Sequence, residues 1–135
     1  GYHTAYSLLG LDAVCVRGLA DDRGVALEKG ARFYFDRMFD GEVPRFYAGH
    51  PGGPKDVNNV ATALRAAVWA AKRGSVAPGF PARVFGYLRR RYWNRQGYFM
   101  AGAERLRPTA RLDYPRWAGA PALDALTALA AEGAP

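Results

Sequence analysis

Apolar residues recur at helical spacing in five stretches of this chain, each closed by glycine, proline or a glycine-containing turn. The first runs from about His3 to Val16, and Gly18 ends it. Leu8, Leu9, Leu11, Val14 and Cys15 leave it almost no polar face, the pattern of a helix placed in an interior. The second, from about Gly24 to Phe39, carries Leu27, Ala31, Tyr34, Phe35 and Met38 on one side and stops at the Asp40-Gly41 turn. A third opens after the loop "GHPGGPKD", where the Asp56 carboxylate is placed to accept N–H bonds from a first turn. Val57, Val60, Ala61, Leu64 and Val68 then keep the period up to Gly74. The fourth begins near Pro81, a favourable first-turn residue, and passes through Val84, Phe85 and Leu88 to Tyr92. The fifth lies between Pro115 and Ala131, with Leu123, Leu126 and Leu129 among alanines. Pro121 lacks an N–H and clashes with a preceding turn, so the helix proper is expected to begin there.

Two pieces break the helical series: "VPRFY" (Val43 to Tyr47) and "GYFM" (Gly97 to Met100) are short and rich in β-favouring side chains. The second is positioned to pair with "ARLDY" (Ala110 to Tyr114) as a hairpin over the helix ends. A repeat emerges from this order. Helix openings near His3, Asp56 and Asp113 are spaced by about 55 residues, with one further amphipathic helix between successive openings. Two of the openings follow the same sequence of glycine turn, aromatic strand, Gly/Pro/Arg loop and aspartate. The expected fold is therefore all-α: antiparallel helical hairpins stacked as a solenoid or a closed ring, with short β-hairpins at the helix ends.

Composition narrows this picture. The chain has 135 residues, enough for a single helical domain, and is 50% hydrophobic and 13% aromatic, which argues against disorder. It starts at glycine, inside what reads as the opening of a helix, so a piece of a longer protein is expected. Cys15 is the one cysteine, which excludes an internal disulfide framework; its apolar setting reads as a buried thiol. His3 and His50 are too few for a histidine-rich metal site, and no cofactor fingerprint is present. No apolar run approaches the ~20 residues of a membrane span. The net charge of +7 suits an acidic polysaccharide, an anionic surface or nucleic acid, although arginine, alanine and glycine enrichment also follows from a GC-rich genome.

The stretches "GYHTAYSLLGLDAV", "GARFYFDRMFDGEVPRFY", "KDVNNVATALRAA" and "GYFMAGAERLRPTARLDYPRWAGAPALDALTALA" together resemble the C-terminal half of bacterial α/α-toroid, six-hairpin-like proteins associated with polysaccharide biosynthesis. The resemblance follows the same order over nearly the whole chain. It implies a partial toroid whose inner helices present their openings at one mouth, with an N-terminal part of the ring as partner. It also implies an acidic or neutral polysaccharide as ligand, a cytoplasmic location, and hydrolase, lyase or epimerase chemistry if the protein is an enzyme. Such proteins carry a histidine near the Asp56 opening, where this chain has Asn58.

The candidate site is the set of helix openings. His3, Asp56 and Asp113 are the candidate proton-transfer groups, because hydrolysis, elimination and epimerisation all need a positioned acid or base. Tyr2, Tyr6, Asn59, Tyr114, Arg116 and Trp117 are the candidate sugar contacts, ring faces stacking and polar groups bonding hydroxyls or uronates. The competing reading makes Asp56 and Asp113 helix caps and the aromatics packing groups. The cluster "YLRRRYWNRQGYF" reads first as a solvated helix end, with Tyr92 and Trp93 packed inward, then as an acidic-glycan surface, and least as a nucleic-acid surface. A non-catalytic helical scaffold for protein partners is the alternative function.

Overall fold

A computed structural model describes residues 1–18, 24–50, 53–102 and 115–132. Five α-helices account for most of them: α1 (Tyr2–Val16), α2 (Gly24–Arg37), α3 (Val57–Lys72), α4 (Phe80–Tyr92) and α5 (Ala120–Ala130). Two residues each of β1 (Phe39–Asp40) and β2 (Val43–Pro44) form an antiparallel pair across the Gly41–Glu42 turn, Asp40 facing Val43. The chain is thus mostly helical with one small two-stranded sheet.

Helix α3 is the centre, buried from Val57 to Ala70 except for Arg65. Its sequence contains two apolar stripes. Val57, Val60, Ala61, Leu64, Ala67 and Val68 follow the i, i+3, i+4 rule and enter one core with Val84 and Leu88 of α4 and Ala122, Ala125 and Leu129 of α5. Ala66, Trp69 and Ala70 occupy the other side, joining Ala5 and Leu8 of α1 and Leu27, Ala31 and Tyr34 of α2. The alanines allow neighbouring backbones to approach closely. Gly30 does the same for α1 and α2: a Cβ there would stand 2.8 Å from Leu8 Cδ2. Phe35, Phe39 and Phe80 link the two cores, with ring centroids 5.3–5.9 Å apart.

The helix ends follow local chemistry. Asp56 caps α3, its Oδ1 accepting the Asn58 N–H at 2.8 Å, as its position in the sequence anticipates. Proline occupies the first turns of α4 and α5. At α5 the expectation from Pro121 holds to within one residue: the α-helix begins at Ala120. The preceding Pro115–Gly119 is wound as a π-turn.

Three expectations are corrected. Helix α1 does not lie in the interior: only Ala5 and Leu8 are buried, and Val16 is 76% exposed. It packs on α2 and α3 along one side, so an apolar sequence alone does not bring neighbours to its other side. Trp93 is not packed inward; it is 45% exposed, because the chain turns extended immediately after Tyr92. Within "VPRFY" only Val43–Pro44 is paired strand, and α2 stops at Arg37 so that Phe39 can begin its partner. "GYFM" folds back on the end of α4, Phe99 bridging Trp93 and the Met100 N–H donating to the Tyr92 carbonyl at 2.8 Å. The anticipated partner at 110–114 lies outside the described residues.

Candidate functional site

The N-terminal end of α3 gathers segments that are remote in sequence. The Val57 N–H, one of the donors a helix start leaves free, bonds the Ala101 carbonyl at 3.0 Å, and Asp56 bridges Gly102. The Gly1 nitrogen donates to the Phe46 carbonyl at 2.7 Å, which brings the opening of α1 alongside. The π-turn packs on α3, and Trp117 there stands close enough to the Asp56 carboxyl to favour its charged form. The openings of α1 and α3 and the turn before α5 therefore meet at one end of the molecule.

The residues named from the sequence separate into three groups. Tyr2, Tyr6, Asp56, Asn58, Asn59 and Trp117 belong to this meeting place. Tyr2 packs edge-on against Phe46 at 5.8 Å and against Tyr6 at 6.3 Å. The Tyr6 hydroxyl donates to Asn58 Oδ1 at 3.4 Å. Asn58 is buried and also accepts from the Thr62 hydroxyl, at 3.3 Å to its side chain and 2.7 Å to its carbonyl. Asn59 is 2% exposed; its Nδ2 donates to the Pro44 carbonyl at 3.2 Å, and its Oδ1 finds no partner among the described residues. His3 is exposed, its ring 4.1 Å from that of Tyr2, and it does not line the recess beside Asp56. Arg116 is exposed on the π-turn. Asp113 and Tyr114 lie outside the described residues.

Beside Asp56 is a recess of about 130 Å³ whose walls include Arg45, Phe46, Lys55, Asn59, Tyr87 and Tyr92. Asp40 also lines it and pairs with Arg45 at 3.5 Å. Gly53 closes one side in a backbone conformation with φ of 133°, where a Cβ would lie 2.7 Å from Phe46 Cβ. Burial raises the Asp56 carboxyl above the ordinary carboxylate value, and the bonds from Asn58 and Trp117 pull it back only in part. Burial also pushes the Tyr92 hydroxyl far up, reinforced by its neighbours Tyr87 and Asp56. A desolvated carboxyl beside phenols can hold or donate a proton.

Arg45, Lys55, Tyr87 and Tyr92 were not among the residues singled out from the sequence for this site. An inward Tyr92 was readable from its helical register, but its approach to Asp56 depends on how α4 crosses α3. No grouping of histidine, cysteine and carboxylates suited to a metal occurs among the described residues, and no described helix is long and apolar enough to cross a membrane. Comparison of the chain with protein families, with characterised proteins and with solved structures finds no match.

Proposed function

We propose that this end of the molecule binds a carbohydrate, as part of a partial (α/α) toroid that handles polysaccharide. The observation that carries the reading is the Asp56–Trp117 pair. Trp117 lies close enough to the Asp56 carboxyl to favour its charged form and stays 49% exposed, so an aromatic ring accompanies a partly desolvated acceptor. Sugars require this combination: their C–H faces stack on aromatic rings and their hydroxyls donate to carboxylates. Tyr6, half-exposed, supplies a second ring near Asn58. In this reading α1, α3 and α5 are the inner helices of the ring and α2 and α4 the outer ones. Asp56 is then the proton-handling group if the bound sugar is also modified.

Oligosaccharide titrations followed by tryptophan fluorescence test the proposal. Saccharide-dependent quenching is expected, with Trp117→Ala lowering affinity by about tenfold and Trp117→Phe, which keeps a ring face, by less. Absence of any response to neutral and acidic oligosaccharides alike refutes it. A second reading, a scaffold for a protein partner, is favoured by the exposed Tyr6 and Val16 of α1. Saturable sugar binding at Trp117 would set that reading aside for this end of the molecule.

A further inference from the structure

We infer that the sugar unit seated in the recess beside Asp56 is uncharged, neither a uronate nor an amino sugar. The inference rests on the carbohydrate reading above and names the ligand class of that site. Among the described residues, the charged lining of the recess is Asp40 and Asp56 against Arg45 and Lys55, so the two signs balance. The four groups are not equally available to a ligand. Arg45 pairs with Asp40 at 3.5 Å, and neither can meet a ligand charge without loosening its hold on the other. Lys55 is exposed, where water and salt screen its charge. Asp56 is only partly exposed, and its Oδ1 already accepts the Asn58 N–H at 2.8 Å.

A uronate carboxylate brought into this recess meets the partly desolvated Asp56 carboxylate, and like charges repel more there than in open water. The nearest compensating cation, Arg45, already has its own carboxylate. An amino sugar fares no better. Its ammonium would give up water to reach a carboxylate already engaged by Asn58, in a lining that also holds Arg45 and Lys55. A neutral sugar incurs neither cost. Its hydroxyls donate to the Asp56 carboxylate and both donate to and accept from the Tyr87 phenol, which is partly exposed in the same lining. Burial raises the Tyr92 hydroxyl above its ordinary value, so that wall also stays an uncharged O–H. Phe46 adds an apolar ring for the C–H face of the sugar. At about 130 Å³ the recess is smaller than the roughly 300 Å³ from which drug-sized ligands are enclosed, so it seats one unit of a chain rather than a stretch of it.

The test is calorimetric titration of the chain with two matched series of hexamers: galacturonate and its carboxyl-reduced form, and glucuronate, its carboxyl-reduced form and the corresponding glucosamine hexamer. Within a series that binds, the neutral form is expected to bind about tenfold tighter than the uronate at low salt, with the difference shrinking as salt rises, and tighter than the amino form. Asp56→Asn, which keeps a capping oxygen and removes the charge, should bring the neutral-to-uronate ratio towards one. Asp40→Asn, at an exposed position, should do the same by releasing Arg45 to the ligand. Both variants are checked for folding by circular dichroism. A uronate or amino form that binds as tightly as its neutral counterpart overturns the assignment and leaves the carbohydrate reading standing. A ratio unchanged in both variants also overturns it, because the discrimination would then arise elsewhere. Binding of no hexamer in either series overturns both readings.

Discussion

Replacing Asp56 separates the structural work of this residue from its charge. Its carboxylate caps α3 through the Asn58 N–H at 2.8 Å and is further stabilised by Trp117 of the π-turn. Losing an N-cap costs about 1 kcal/mol. Losing the interaction with Trp117, whose indole is half-exposed and can turn to water, costs up to about another 1 kcal/mol. Relief of the buried charge offsets part of this, so Asp56→Ala should destabilise by about 1–2 kcal/mol, or about 4–8 °C in Tm. Asp56→Asn keeps a side-chain oxygen for both donors and removes the charge. Burial raises the folded-state pKa, so the folded chain holds this proton more tightly than the unfolded chain. Stability from this group is then fully present below the unfolded carboxylate value and is lost as pH rises through the raised folded value. Asp56→Asn should therefore match or exceed the parent near neutral pH, and the parent should gain on it in acid. Urea denaturation of the three proteins at about pH 3 and pH 7 reads both differences. An Asp56→Ala protein within about 0.5 kcal/mol of the parent, or an Asn variant as unstable as the Ala variant, refutes the capping argument.

Three further outcomes follow from the core and the recess. Leu64 is fully buried between α3, α4 and α5, so Leu64→Ala should cost about 3–4 kcal/mol in urea denaturation. The Tyr34 hydroxyl is buried without a partner among the described residues, so Tyr34→Phe should be neutral or stabilise by up to about 1 kcal/mol in the same assay. Gly53→Ala meets both an unfavourable backbone angle and the Phe46 Cβ, so it should lower the Tm by several degrees, about 1–2 kcal/mol, and weaken oligosaccharide binding through the displaced wall of the recess.

Much of the architecture was legible in local chemistry. The helical period, the Asp56 cap and the interruption by Pro121 depend on neighbours in the chain, and all three reappear in the structure. Individual side chains were harder to place. Tyr6, Asn59 and Trp117 lie at the shared end, but His3, only one residue after Tyr2, faces outward. A helix turns by about 100° per residue, so neighbours in sequence diverge in direction. The phenols of Tyr87 and Tyr92 join the recess because α4 packs across α3, and no local pattern encodes that crossing.

Sequence by itself determined, to within about two residues, where α3 and α4 start and stop, one apolar stripe on each, and that Asp56 begins the central helix. Those features arise from backbone sterics, hydrogen-bond satisfaction within a few residues, and the 3.6-residue period. Tertiary structure alone decided that α1 is buried on one side only, that Trp117 comes beside the Asp56 carboxyl, and that Tyr87 and Tyr92 of α4 line the same recess. Burial and charge proximity are properties of packing between distant segments, and composition does not specify which segments will meet.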